Sequence, residues 1–249
     1  AKLGARTAMI GRVGQDDFGT RLIAHLDRAG VDRREVGADP AAGSGMSVAI
    51  VETTGDYGAV IVSGSNLVID PDDAGKAFAR LGGAPILILQ NEVPEAVNLA
   101  VARKAKETGA RVILNAAPAR ALSKYLIEFI DLLAVNRVEA AMLSGRPVET
   151  TEDAMGALPA LGHAHRDVIV TLGAGGLVVG ARGSAPHFIP ATPVKVISTH
   201  GAGDCFIGAL GLALAHGEAL EAAAAHASRI AARFVSLSED ARETASLLV

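Results

Sequence analysis

The chain has little from which to build an aromatic or a cross-linked core. Only 3% of its 249 residues are aromatic and tryptophan is absent, so the 50% that is apolar is mostly Ala, Val, Leu and Ile. Such a palette favours a parallel sheet covered by helices over a β-sandwich. A single cysteine, Cys205, excludes an internal disulfide framework and argues against a zinc cluster; it reads as a small apolar packing residue. No basic run is present and the net charge is −4, which leaves nucleic-acid binding without support. The longest apolar run, Cys205 to Ala215, is too short to span a bilayer, and no signal-peptide pattern opens the chain. These absences predict a soluble, reduced, cytoplasmic protein with no membrane partner. The length suits one large α/β domain or two small ones.

Hydrophobic periodicity and glycine stops divide the chain. Ala1–Arg6 reads as the last turn of a helix closed by Gly4, Thr7–Ile10 as a strand, and Phe18–Ala29 as a helix stopped by Gly30. Ser47–Val51 and Ala59–Val62, joined through Thr53-Thr54-Gly55-Asp56, predict a hairpin inserted among α/β units. From Pro85 onward strands and helices alternate. The expected strands are Ile86–Leu89, Val112–Leu114, Ile130–Val135, Val168–Thr171, Leu177–Val179 and Val194–Ile197. The expected helices are Glu95–Glu107 before Gly109, Val138–Leu143 before Gly145, Thr151–Leu161, Gly203–Ala215 and Leu220–Val235. Alternation of this kind predicts an α/β fold with a mainly parallel sheet and helices on both faces. With no repeat, low-complexity linker or second domain evident, residues 1–249 read as a single domain.

In open α/β sheets, ligands bind beyond the carboxyl ends of the strands. Here those ends carry Gln90-Asn91-Glu92, Asn115, Asn136 with Glu139 three residues on, and Thr171 ahead of Gly173-Ala-Gly-Gly176. The last expected strand runs into Gly201-Ala202-Gly203-Asp204, a small-residue turn with a carboxylate at a helix mouth. Amides at the positive end of a helix dipole can hold a transferring phosphoryl group. Asp204 can accept the proton of an attacking hydroxyl. Each residue also has a purely structural reading. Asn115 can close a turn, Asn136 can be an N-cap paired with Glu139, Thr171–Gly176 can be a tight turn, and Glu92 can be a solvated carboxylate. His163, His165 and His187 show no metal-ligand spacing with acidic partners. Neither a Gly-x-x-x-x-Gly-Lys-[Ser/Thr] run nor a Gly-x-Gly-x-x-Gly after the first strand is present, which disfavours a P-loop nucleotidase and a dinucleotide-binding protein.

Taken together, these residues resemble the ribokinase-like (PfkB-type) carbohydrate kinases along the whole chain. The likeness rests on Ile10-Gly-Arg-Val-Gly14-Gln-Asp16-Asp-Phe-Gly19, Ser63-Gly-Ser-Asn66, Asn115-Ala-Ala-Pro-Ala-Arg120, Asn136-Arg-Val-Glu139 and Gly201-Ala-Gly-Asp204. The resemblance implies a three-layer αβα fold with a small β lid around residues 45–63. It implies ATP-dependent phosphorylation of a small sugar. Ribose to ribose 5-phosphate comes first, because the Asn115–Arg120 stretch is especially similar to ribokinases. Asp204 would be the general base, and the amides of Gly201, Ala202 and Gly203 the anion hole. Asn136 and Glu139 would organise Mg²⁺ and the ATP phosphates, largely through water. Thr171 and Gly173 would border the nucleotide, His226 would lie near the adenine, and Glu92 would contact the sugar. The lid is a frequent dimer contact in such kinases, so a homodimer through it is expected. A fructokinase or 2-keto-3-deoxygluconate kinase is the close alternative and a nucleoside kinase a more distant one. A non-catalytic binding protein keeping the fold is the alternative from another class.

Three departures accompany the resemblance. The family's first strand with its sugar-binding aspartate, and a Gly-Gly…Asn motif, do not precede Ala1, so the sequence is expected to be N-terminally incomplete and to lack part of the sugar pocket. Ser198 stands six residues before Asp204, where an aspartate of a monovalent-cation site would be expected. Leu237-Ser-Glu239 replaces an Arg-x-Gly turn. The last two argue against potassium activation.

Overall fold

The structure, a computed structural model, describes residues 1–51 and 57–244. Its backbone divides into two units, one formed by Ala1, Arg6–Gly83 and Glu92–Lys104, the other by Lys2–Ala5, Ala84–Asn91 and Ala105–Val249. Among the described residues, no helix is long and apolar enough to cross a membrane.

The first unit contains β1 (Ala8–Gly14), α1 (Asp17–Arg28), β2 (Asp32–Asp39), β3 (Met46–Val51), β4 (Tyr57–Val62), α2 (Pro71–Arg80) and most of α3 (Glu95–Glu107). β1 and β2 pair in parallel, while β3 and β4 form the expected antiparallel hairpin with Met46 opposite Val62. The expected turn at Thr53–Asp56 lies outside the described residues. Asp16 caps α1 by accepting the Gly19 N–H at 2.7 Å, and its carboxylate also takes the Ser44 hydroxyl and amide, each at 2.7 Å. These bonds, the Ser44 hydroxyl first, hold the Asp16 carboxyl below the usual aspartate range. A Cβ on Gly19 would come within 2.1 Å of Gly14 O, so only glycine fits there.

Two elements of this unit were not read from the sequence. α2 starts with Asp70 accepting the Asp73 N–H at 2.9 Å and Pro71 at its first position, an Asp-Pro start that was legible in principle. β2 reads Asp-Arg-Arg-Glu-Val-Gly-Ala-Asp and shows no apolar alternation. Its charges are matched by Arg80 on Glu35 at 2.5 Å and Arg12 on Asp39 at 3.2 Å, so ion pairing carries what apolar patterning usually signals.

In the second unit lie β5 (Ile86–Gln90), β6 (Arg111–Asn115), α4 (Lys124–Ile127), β7 (Leu132–Asn136), α5 (Arg137–Ser144), α6 (Thr151–Ala157), β8 (Asp167–Thr171), β9 (Leu177–Gly180), β10 (His187–Ile189), α7 (Ala202–Ala215), α8 (Leu220–Val235) and α9 (Glu239–Thr244). The sheet order is β10-β9-β8-β7-β6-β5, parallel from β5 to β8 and antiparallel at β8/β9 and β9/β10. Alternate residues explain its two covered faces. Ile113, Leu132, Ile169 and Val179 pack against Phe206, Ile207 and Leu210 of α7 and Ala223, Ala227 and Ile230 of α8. Their neighbours Val112, Leu114, Leu133, Val135, Val168 and Val170 are buried on the opposite side, where α5 and α6 pack on β7, β8 and β9. Each fully buried Leu or Ile contributes on the order of 2 kcal/mol. This is the expected α/β architecture, a mainly parallel sheet with helices on both faces.

α3 and α8 run over the expected residues. α6 ends at Ala157 rather than Leu161, because Pro159 has no N–H to continue the helical ladder and the Leu158 amide turns to Met155 O instead. Residues 1–4 form a turn rather than a helix end, with Gly4 at φ +86°. The strand expected at Val194–Ile197 is not there. Among the described residues the last strand is β10, paired with β9, whereas Val194, Val196 and Ile197 are exposed, and the Ile197 amide donates to Val235 O at 2.8 Å. Their β-branched side chains satisfy the propensity for a strand, but no sheet edge meets them, and propensity yields to context.

Candidate active site

The parallel register brings the polar strand ends level. Gln90 on β5 is opposite Asn115 on β6, and Asn136 on β7 is opposite Thr171 on β8. α7 opens at the same cleft, of about 180 Å³, which is lined by Asn115, Asn136, Glu139, Thr171, Thr199, Gly201, Ala202, Gly203 and Asp204, among others. Of the residues expected from the sequence, the structure therefore assembles Asn136, Glu139, Thr171 and the whole Gly201–Asp204 turn.

Gly201 is the N-cap of α7 at φ +74°, a left-handed conformation that glycine adopts without strain. The Ala202 N–H donates to Thr199 O at 3.1 Å and the Cys205 N–H to Gly201 O at 2.9 Å. Between them, the amides of Gly203 and Asp204 take no backbone acceptor among the described residues. Unsatisfied N–H groups at a helix start carry its positive end charge and suit an anion. Asp204 stands beside them, exposed, and its Oδ1 accepts a hydrogen bond from Gln90 Nε2 at 3.2 Å.

Asn136 and Glu139 form a complete capping box on α5. Asn136 Oδ1 accepts the Val138 and Glu139 amides at 2.9 and 3.0 Å, and Glu139 Oε2 accepts the Asn136 amide at 2.8 Å. The structural reading of this pair is thus real, yet both residues also line the cleft. Glu139 is buried, and desolvation pushes its carboxyl above the ordinary glutamate range against the opposing pull of its Asn136 bonds. Burial also pushes the Cys205 thiol up to about 11, so it packs and does not act as a nucleophile.

Three expected residues lie elsewhere. Gly173 is exposed in a short 3₁₀ turn, and His226 sits on α8 with Nδ1 3.6 Å from Glu218 Oε1; neither lines this cleft. Glu92 belongs to the first unit, where it borders a separate cleft of about 260 Å³ together with Gly45, Met46, Ser47, Ile61, Val62 and Asn66. Gln90 is marked in the sequence only as one of the polar strand-end residues, and nothing in the sequence singles out Thr199. Gln90 was visible as the first polar residue after an apolar strand, but only the pairing across the sequence shows that it meets Asp204.

The chemistry of the cleft suits a magnesium nucleotide. Its two carboxylates are Asp204 and Glu139, and among the described residues no group of three or more His, Cys, Asp or Glu is placed to cage a metal. Mg²⁺ keeps several waters and binds through one or two carboxylates plus substrate phosphates, a demand that this set meets. The amides of the α7 mouth supply the complementary phosphate contacts.

Comparison with known proteins agrees with this geometry. The description "pfkB family carbohydrate kinase" matches residues 1–244, across both units. The chain is 34% identical to ribokinase of Bacillus subtilis (strain 168) over 232 residues, covering 93% of this chain and 75% of that protein. It is 33% identical to ribokinase of Mus musculus over 219 residues, covering 87% and 68%. A solved structure of Arabidopsis thaliana ribokinase complexed with ribose and ATP superposes with a TM-score of 0.84 at 30% identity, covering 95% of this chain and 78% of the other.

Proposed function

Because the chain belongs to the pfkB family of carbohydrate kinases, we propose that it transfers the terminal phosphoryl group of ATP to a hydroxyl of ribose. The observation that carries this reading is the mouth of α7, where the amides of Gly203 and Asp204, with no backbone acceptor among the described residues, stand beside a carboxylate oriented by Gln90.

In the proposed reaction, Asp204 accepts the proton of the sugar hydroxyl as its oxygen bonds to the γ-phosphorus. The bond from that phosphorus to the β–γ bridging oxygen breaks, and ADP leaves with the bond's electron pair. The Gly201–Asp204 turn binds the charge developing on the transferring group; a lost donor of this kind typically costs about 10²–10³ in rate. Asn136 and Glu139 would hold Mg²⁺ through water and the nucleotide phosphates, and the ion supplies charge neutralisation on those phosphates. Thr171 borders the nucleotide inside the cleft, while Gly173 and His226, which lie outside it, would meet only the part of the nucleotide, base included, that extends beyond it; Glu92 serves the sugar, in the first unit, beside the β3–β4 hairpin that we assign as the lid. The exposed Val60, Ile61 and Val62 of β4 offer a surface for a homodimer. A cytoplasmic location, where ATP is abundant and thiols stay reduced, suits a chain whose one cysteine is free.

A sugar panel with ADP release as readout tests the assignment. Ribose is expected to give the highest kcat/KM. Preference for fructose, 2-keto-3-deoxygluconate or a nucleoside would move the protein to another branch. Absence of turnover with every sugar and nucleoside would overturn the kinase reading.

A further inference from the structure

Arg242 is only 6% exposed, yet among the described residues its guanidinium pairs with no carboxylate. Among the described residues, every hydrogen bond of its side chain goes to a backbone carbonyl. Nε donates to Phe234 O at 3.0 Å and Leu237 O at 3.1 Å, Nη1 to His200 O at 2.9 Å, and Nη2 to Ser198 O at 2.5 Å. Its guanidinium carbon lies 4.2 Å from the centroid of the Phe234 ring. Phe234 O belongs to the last turn of α8, the negative end of that helix, and Leu237 O lies two residues past its end. The other two belong to the loop that immediately precedes Gly201.

A buried charge is tolerated only when its donors are satisfied. Here four oxygens from two separate segments take three of its five N–H groups, the Nε–H being shared between two of them. Carbonyl oxygens are also ligands of monovalent cations, and here the positive charge that faces them is covalently attached. Its position also matters for the turn. Fixing the Ser198 and His200 carbonyls fixes the peptide planes that lead into the left-handed Gly201, and Phe234, stacked on the guanidinium, lies beneath Gly201, where an added Cβ would stand 3.4 Å from the ring. Amides of Ile197 and Ser198 donate to Val235 O, tying the same loop to α8 a second time.

We propose that Arg242 is a positioning residue that acts as a built-in monovalent cation, holding the 198–200 loop so that the α7 amides converge on the transferring phosphoryl group without a free cation. The proposal rests on the kinase reading above. It differs from a simple tether of the C-terminal segment, because a diffusible cation should replace what the side chain supplies.

The test compares the full chain with Arg242→Ala in buffer whose only cation, besides the magnesium of the assay, is tetramethylammonium. Wild-type kcat is expected to change less than about twofold on adding potassium. Arg242→Ala is expected to lose at least about tenfold in kcat, with KM for the sugar nearly unchanged, and to recover much of the loss when guanidinium or potassium chloride is added. A wild-type enzyme stimulated several-fold by potassium, a variant with near-normal kcat, or a loss that neither ion relieves would each overturn the proposal. Should Arg242→Ala fail to fold, Arg242→Lys replaces it, with a smaller kcat loss and the same rescue expected. Should the wild type phosphorylate nothing, the kinase reading fails by itself, and the Cys205 thiol, packed in the same region, decides separately. Its reaction with an aromatic disulfide should speed up at least about tenfold in the variant and slow again with guanidinium; an unchanged rate would dismiss the positioning role.

Discussion

Gln90 Nε2 donates to Asp204 Oδ1 across 3.2 Å, joining the end of β5 to the first turn of α7. The two residues are 114 positions apart in sequence. The bond occupies one carboxylate oxygen and leaves the other to accept a proton, so the pair orients a base without neutralising it.

Asp204→Asn keeps the shape of this arrangement and removes its basicity. The variant is expected to bind ATP nearly as well as the wild type while kcat falls by roughly 10²–10⁴. Steady-state turnover beside calorimetric nucleotide binding measures both; a near-normal kcat would remove Asp204 from the base role.

Gln90→Leu should act through Asp204 alone. Losing one hydrogen bond of about 1 kcal/mol predicts a kcat reduction of roughly fivefold with little change in KM for ATP. An effect confined to KM would mean that Gln90 serves binding and not orientation.

Gly201→Ala forces a Cβ into a left-handed residue and against the Phe234 ring at 3.4 Å. Denaturant titration should show a stability loss of about 1–3 kcal/mol, accompanied by a fall in kcat as the turn shifts. Unchanged values in both measurements would show that the turn tolerates a side chain.

Burial raises the Glu139 carboxyl above the ordinary glutamate value of about 4.5, so its neutral form is the one that the fold favours. That contribution is fully present below the unfolded value and is lost as pH rises through the raised folded value. Glu139→Gln keeps an acceptor for the Asn136 amide but cannot ionise. Its stability relative to wild type should therefore improve as pH climbs above about 4.5. Parallel pH–stability curves for the two proteins would contradict the burial argument.

Chelation addresses the metal. EDTA is expected to abolish ADP release and added Mg²⁺ to restore it, with Glu139→Gln needing several-fold more Mg²⁺ for half-maximal rate. Activity that survives chelation would leave Glu139 with its capping role only.

Part of this site is encoded in local sequence patterns and part is not. Asn136 and Glu139 are legible twice over, as a capping box and as cleft residues, because a cap is a local pattern whose partners stand three positions apart and the structure uses it in both senses. The Gly201–Asp204 turn was legible for the same reason. The route into it was not. Val194–Ile197 has the β-branched composition of a strand, but strand formation needs a partner edge, and β9 pairs with His187–Ile189 instead. β2 escaped notice because its charges find partners such as Arg80, 45 positions away. Arg242 lay beyond the last recognised helix and carried no motif at all.

By itself, the sequence determined what depends on neighbours a few residues apart: helix starts and stops, the apolar runs of β6 to β8, and the small-residue turn with its aspartate. Tertiary structure alone decided which distant groups meet. It set Gln90 against Asp204 and wrapped four backbone carbonyls around Arg242. The division follows from the physics. Propensity, capping and periodicity act within one or two turns of chain, whereas a long-range hydrogen bond or a buried cation exists only once packing has ordered both partners and excluded water from between them.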